Sequence, residues 1–489
     1  MRITRRTLFA GAGAGALALL LASCTPDEPE PKPVEPSKTP EPTVDPTPVG
    51  EIPEAAAMFR TAWAADPYAF GARSVTPAGV TSVERAALAA PLMDRVFFAG
   101  EATSTERPGT VAGAADEGRR AAAQLAELAD DGERIAVVGA GIAGSAAAGL
   151  LAEEGFAVTV IEARDRIGGR LATEASDDWP VPPQHGAWLF APDDQAAAKL
   201  ALVGVGSVDV DGRAGIGADG EVEAPSTEQI AKALAKAREV SADATLAEAL
   251  GEELSDELRA ALDGYSAFTG IDPETASSWY APELPAEPHT ALVSDVAPFV
   301  EDALGDVDVT LSTVVSNISY DEEGVSVRFA SGESITVDRL IVTVPIGVLQ
   351  TDAIGFEPPL PFEHRGAISA LEMGHMEAVW LRYETPFWET TAGVWQLVGP
   401  IGDDAATEEP PAEEPEGEAT EGEQPDDETS APPVIRTWIN LLPTTGEPIL
   451  VGLVGGRDAR GLAELADDEL HELARASLAP FADPPADGA

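Results

Sequence analysis

IAVVGAGIAGSAAAGLLAEEGFAVTVIEARDRIGGR (Ile135–Arg170) is the stretch whose reading decides the fold. Two apolar runs, IAVVG (135–139) and AVTVIE (157–162), bracket an alanine-rich segment at 142–154. Short β-branched runs around a small-residue helix predict a βαβ unit. Gly139, Gly141 and Gly144 fall at the turn between the first strand and the helix, with Ile142 and Ala143 opening the helix. The first glycine allows a tight turn, the second lets backbone approach a pyrophosphate, and the third lets helix and strand pack closely. The helix N-terminus then faces the phosphates. Glu162 ends the second strand, where an acid accepts hydrogen bonds from ribose hydroxyls. A glycine-rich turn with no ligand is the bland alternative. The strands and the acid at these spacings favour a dinucleotide site.

Directly after the acid come Ala163, Arg164, Gly168, Gly169 and Arg170. A cation and a glycine pair there can meet the same pyrophosphate from the other side. The segment resembles that of the flavin-containing amine oxidases and their relatives, the phytoene desaturases and protoporphyrinogen oxidases. Three further stretches narrow the resemblance to amine oxidases: DRLIVTVPIGVLQ (338–350), IGFEPPLPFEHRGAISALEMGHMEAVWLRYETPFW (354–388) and TWINLLPTTGEPILVGLVGG (437–456). Val315 matches the position whose backbone contacts adenine in that family. RTAWAADPYAFGARS (60–74) and FFAGEATSTERPGTVAGAADEGRRAA (97–122) resemble the family's C-terminal stretch. The resemblance implies that Gly100 and Glu101 approach the ribityl chain and phosphates of FAD, and that Thr110 and Val111 lie near the isoalloxazine.

The order of these parts is rotated. Residues 55–128 correspond to a family C-terminus yet precede the fingerprint, and the chain's last residues resemble what leads into the strand before Trp63. This implies a circular permutation, with old termini fused through ADDGE (129–133) and new ones opening near residues 51 and 485. The expected fold is α/β: a Rossmann-like FAD-binding domain (81–190 and 291–350) and a second substrate domain of mixed sheet plus helices. The latter is assembled from 51–80, a helical part at 191–290, and 351–485. If the order is permuted, Glu101 and Gly139 must converge on one cofactor.

The resemblance implies oxidation of an amine or amino acid by hydride transfer to FAD, with oxygen reoxidising the flavin to give hydrogen peroxide. A lysine commonly follows the PPLP turn in the family, and counting from Pro361 puts His364 there. The histidine is read either as the holder of a water at the flavin or as a plain loop residue. Arg73 stands where the family commonly has a tyrosine of an aromatic cage. It is read either as a cationic wall that repels polyamines and attracts a carboxylate, or as a side chain turned out to solvent. Ala112, Ala115, Asp116 and Glu117 also depart from the family's habit. Trp63, Tyr68 and Trp188 resemble flavin-pocket aromatics but serve equally as core. Two other readings stand beside the oxidase: a desaturase-like oxidoreductase, and a flavin-binding surface lipoprotein without catalysis.

Composition bounds the rest. The chain has 489 residues and an apolar fraction of 44%, enough for one large or two ordinary domains. A formal net charge of −55 argues against nucleic acid as a partner. Cys24 is the one cysteine, which leaves neither a disulfide nor a cysteinyl-flavin bond, so FAD is expected to bind non-covalently. Residues 1–24 carry Arg2, Arg5 and Arg6, an apolar run at 8–22, and LASC ending at Cys24. This resembles a twin-arginine (Tat) lipoprotein signal peptide with Cys24 as the lipidated residue, and an ordinary secretory signal is the alternative. The expectation is an exported lipoprotein anchored to the cell membrane and facing outside the cytoplasm. Residues 25–50 read as a Pro-rich linker and 402–433 as a disordered acidic insert in a hairpin. No HExxH, CxxC or paired-histidine pattern suggests a metal.

Overall fold

The computed structural model describes residues 52–482 apart from 193, 218–219, 252, 283–288 and 400–434. The expected signal, linker and acidic insert therefore lie outside the described residues. Among the described residues no helix is long and apolar enough to cross a membrane.

The predicted βαβ unit forms as Arg134–Val138, Ile142–Glu153 and Ala157–Ile161. Its strands lie inside a five-stranded sheet ordered Val309–Thr310, Ala157–Ile161, Arg134–Val138, Arg339–Val342, Val96–Phe98. Every pairing in it is parallel. Helices cover such sheets on both faces, so the strands read as unbroken apolar runs rather than alternating ones. Strand Val96–Phe98, from FFAGEAT, is therefore an edge of the fingerprint's own sheet. The segment that precedes the fingerprint in sequence completes it in space.

Small residues let the adjoining helices close on this sheet. Helix Val111–Ala126 crosses the fingerprint helix where a Cβ on Gly118 would lie 2.1 Å from the Ala143 carbonyl oxygen. A Cβ on Gly144 would lie 1.9 Å from the Gly139 carbonyl oxygen. The third glycine thus seats the helix against the turn that launches it. Between Ala126 and Arg134 the chain turns at Gly132 (φ +87°), and buried Arg339 clamps the turn through Glu133 and the carbonyls of Asp94 and Leu128.

A second sheet of seven strands runs Ala57–Arg60, Met376–Arg382, Ile449–Gly455, Thr437–Asn440, Val394–Leu397, Arg213–Gly217, Gly220–Val222. It is antiparallel except where Val394–Leu397 meets Arg213–Gly217. Trp380, Trp395 and Trp438 are buried completely within it. The strands flanking the acidic segment pair antiparallel, as a hairpin requires (Val394 opposite Ile439). Ile52, ahead of the first strand, packs against Leu470, Ala474 and Leu478 and accepts a hydrogen bond from Arg475 at 3.0 Å.

The helical stretch read at 226–263 resolves into three helices, Glu228–Ala237, Leu246–Leu250 and Asp256–Thr269. Caps divide it: Thr245 forms a capping box with Glu248, Gly251 turns at φ +94°, and Ser255 caps the third helix.

These contacts separate two glycines by consequence. Gly144→Ala is expected to destabilise the protein by about 1–3 kcal/mol, because backbone rather than a flexible side chain must give way. Gly366→Ala, in helix Phe362–Ala370 with nothing within 4 Å of the added carbon, is expected to stabilise by up to about 1 kcal/mol. Urea midpoints at constant slope measure both.

Candidate functional site

One cavity of about 400 Å³ joins the fingerprint to the second sheet. Its dinucleotide end begins at Gly139 (φ +104°), whose Cβ would lie 2.5 Å from the Thr343 hydroxyl oxygen. Gly141 caps the fingerprint helix with no side-chain hydrogen bond, so the helix's first amides stay open to the cavity. Gly141 also bridges in parallel to Gly168, and a Cβ on Gly141 would meet nothing closer than 3.9 Å. Its lack of a side chain is needed by no protein neighbour; it keeps the cavity clear. Gly168, Gly169, Ile142, Ala143 and Ala163 line the same wall.

Glu162 is buried and accepts the amides of Ala140 (2.7 Å) and Arg164 (2.8 Å). A carboxylate offers about four lone-pair positions, so two stay available to ribose hydroxyls. Thr313 and Val315 line the wall beyond it. Arg164 turns elsewhere than expected: its guanidinium pairs with both oxygens of Asp66 (2.7 and 2.8 Å), over the Tyr68 ring at 5.2 Å and Trp63 at 5.9 Å. It pins the 63–70 turn to the fingerprint unit while lining the cavity.

Glu101 is the junction. Only 5% exposed, it accepts the Ser74 amide and hydroxyl, the Gly109 amide (2.9 Å) and Arg170 Nη1 (2.9 Å). Burial pushes its carboxyl up, but Arg170, Ser74 and Arg85 outweigh this and hold it below the usual carboxylate range. Arg85, pulled down to about 10 by burial, donates to Ser74, Thr76 and the Ala102 carbonyl. Gly100, Gly109, Thr110 and Val111 continue the wall. Thr110 caps helix Val111–Ala126 by accepting the Gly113 amide, so a second helix N-terminus opens here. Glu101 and Gly139 thus converge on one cavity.

Arg73 faces inward, which settles its two readings. Its guanidinium lies over Gly109, where a Cβ would come within 2.3 Å of Nε. It lines the cavity and donates from Nη2 to the Pro108 carbonyl at 3.1 Å. The far end is walled by Trp188, Ala267, Phe268, Met376, Ala378 and Leu453, with His289 stacked on Phe268 at 4.7 Å.

His364 does not reach the cavity, and its expected role at the flavin is corrected accordingly. The PPLP turn leads straight into helix Phe362–Ala370, which packs on helix Ser82–Leu88. The ring lies against Phe98 and donates from Nε2 to the Ala90 carbonyl at 2.9 Å. Asp116 and Glu117 are taken up by Arg107, Arg119, Arg120 and Thr103. Sequence reasoning missed Asp66, Ser74, Arg85 and Glu377. Glu377 is a buried cavity-lining carboxyl raised by burial and bonded to Thr61 and the Ala64 amide. Only Ser74, in GARS, had a motif pointing to it. Among the described residues no three His, Cys, Asp or Glu side chains are placed to hold a metal.

The cavity's chemistry fits FAD: two helix N-termini, an open backbone cradle at Gly141 and Gly168, and an acid with free lone pairs. The family model "Flavin containing amine oxidoreductase" matches residues 47–126 and 221–487, and one for an NAD(P)-binding Rossmann-like domain matches 137–202. Polyamine oxidase 4 of Oryza sativa subsp. japonica is 26% identical over 70% of this chain and 72% of its own. Probable polyamine oxidase 4 of Arabidopsis thaliana is 26% identical over 68% of each. Among solved structures, a putrescine oxidase double mutant redesigned for cofactor binding superposes with a TM-score of 0.53 at 22% identity, covering 72% of this chain and 82% of that one. Wild-type putrescine oxidase bound to putrescine gives 0.52 at 21%, with the same coverage.

Two outcomes follow from this geometry. Glu101→Gln is expected to cost about 3–5 kcal/mol at pH 7, because Arg170 and Arg85 lose their buried anion. A carboxyl held low in the fold contributes stability above its unfolded pKa and loses it as pH falls through the folded value. Denaturation of the variant should therefore lack part of the wild-type loss between pH 5 and more acid conditions, about 4.3 being the unfolded value. His364→Ala is expected to lower stability and leave the pH–rate profile unchanged; an altered profile would return the ring to the chemistry.

Proposed function

The chain belongs to the flavin containing amine oxidoreductase family and is an FAD-dependent oxidoreductase of amines. From that premise we propose that it oxidises a small-molecule amine or amino acid with oxygen as the final acceptor, giving hydrogen peroxide. The convergence of Glu101 with Gly139–Gly144 on one cavity carries this reading. Bound there, FAD supplies the acceptor for a hydride from the carbon beside the amine nitrogen.

The chain's own residues bind and orient. The amides at the starts of helices Ile142–Glu153 and Val111–Ala126, with Gly168 and Gly169, hold the diphosphate's charge. Glu162 takes the ribose hydroxyls. Glu101, kept ionised by Arg170 and Ser74, fixes the strand, loop and cation around the middle of the cofactor. Trp188, Phe268 and Leu453 supply an apolar far wall that excludes water from the reacting carbon.

Two features of the chain as a whole belong to the same proposal. The first is circular permutation. It is supported by the parallel pairing of Val96–Phe98 with Arg339–Val342, by the short turn at Gly132, and by Ile52 against Arg475. The second is export as a twin-arginine lipoprotein anchored at Cys24, supported by the basic, apolar and LASC segments of residues 1–24. A protein that folds around FAD suits a route that carries folded chains.

The purified protein is expected to be yellow, to hold one FAD, and to bleach anaerobically with at least one amine or amino acid, forming peroxide on readmission of air. Stoichiometric FAD with no bleaching by any amine or amino acid would overturn the proposed oxidation and leave the fold intact.

A further inference from the structure

We propose that Arg73 anchors a carboxylate on the substrate, so that the amine oxidised here carries an acid group rather than being a bare polyamine. The inference rests on FAD occupying the cavity as described above.

A guanidinium has five N–H donors and no acceptor. Arg73 has one recorded protein bond, Nη2 to the Pro108 carbonyl, and its Nε is shut from solvent with no partner. Buried donors are rarely left this way. The other arginines around the cavity are spent. Arg164 holds both oxygens of Asp66; Arg170 donates to the Ala72 carbonyl and Glu101; Arg85 donates to Ser74, Thr76 and Ala102.

The neighbouring anion does not fill the vacancy. Glu101 pulls on Arg73 electrostatically, yet its oxygens already receive Ser74, Gly109 and Arg170. Arg73 is also fixed in place. It opens strand Arg73–Val75, which pairs with Glu372–Gly374, and its head group fills the space that Gly109 leaves by lacking a Cβ.

Position assigns the open face to substrate. On one side stand Gly109, Thr110 and Val111, the segment expected beside the flavin. On the other, Tyr265 lies within electrostatic reach, on the helix (Asp256–Thr269) that also puts Ala267 and Phe268 into the apolar wall. A planar fork next to an apolar wall fits a carboxylate in the bidentate manner, with the rest of the molecule lying along Phe268. The same cation repels the second ammonium of a diamine.

The test uses holoenzyme and matched pairs, phenylalanine against phenethylamine and ornithine against putrescine, in anaerobic flavin titrations. Benzoate, which is not oxidised, serves as a spectral probe of anchoring that needs no turnover. The carboxylated member of a pair should bleach the flavin at a dissociation constant at least about tenfold lower. Arg73→Met should erase that preference and weaken benzoate about 10- to 100-fold, as expected for losing a charge-assisted pair, with FAD content unchanged. Arg73→Lys should recover part of it. Equal or tighter response to the uncarboxylated amines would overturn the anchor while sparing amine oxidation. Loss of FAD from Arg73→Met with no selective loss of benzoate would assign the side chain to the cofactor and overturn it too. If no amine of either kind bleaches the flavin, amine oxidation fails, and benzoate binding that disappears in Arg73→Met still supports the anchor. Wild type that does not bind benzoate sinks it.

Discussion

A carboxylate buried at 5% exposure is tolerable only if donors replace the water it has lost, and the structure is arranged around meeting that demand at Glu101. The donors come from three separated parts of the chain: Ser74 on a short strand, Gly109 before a helix, and Arg170 just after the fingerprint. Each must be in place for the charge to be paid for. The Glu101 pairing therefore couples the 60–75 segment, the 97–126 segment and the βαβ unit into one cavity wall. It also explains why the carboxyl stays ionised against burial, since Arg170 and Arg85 flank it.

What the sequence made legible were backbone demands. Gly139, Gly141 and Gly144 are constrained by a turn, an open cradle and a 1.9 Å approach, all within a few residues of one another. A local pattern can report a local requirement. Glu162 follows from the same unit, because the strand's length places it. The parallel sheet was legible in part, through the unbroken apolar runs at 135–139 and 338–345, and FFAGEAT announced its place by motif.

The misses share a cause. Arg164 was read by its distance from Glu162 along the chain, yet its head group answers to Asp66, 98 residues away. Arg85 sits in SVERAAL, a helix with no sign of burial in its sequence, and its partners are Ser74, Thr76 and Ala102. His364 was placed by counting from a turn. Counting cannot show that the next nine residues form a helix packed on Ser82–Leu88, which carries the ring away from the cavity. Side-chain direction at long range is a tertiary property, and no periodicity encodes it.

Charge scarcity gives the cavity a further logic. The chain carries 30 Lys and Arg against 85 Asp and Glu, so the surrounding field is strongly negative. Four arginines, 73, 85, 164 and 170, nonetheless gather on or behind one cavity. Each must be desolvated to be there, which is unfavourable unless an anion answers it. Asp66 answers Arg164, and Glu101 answers Arg170 and Arg85. Two helix N-termini add positive ends to the same space. Protein carboxylates therefore account for three of the four cations and leave positive potential facing the cavity. An acidic chain that shelters such potential indoors, where bulk salt does not screen it, is built to receive anionic groups there and to shed them elsewhere.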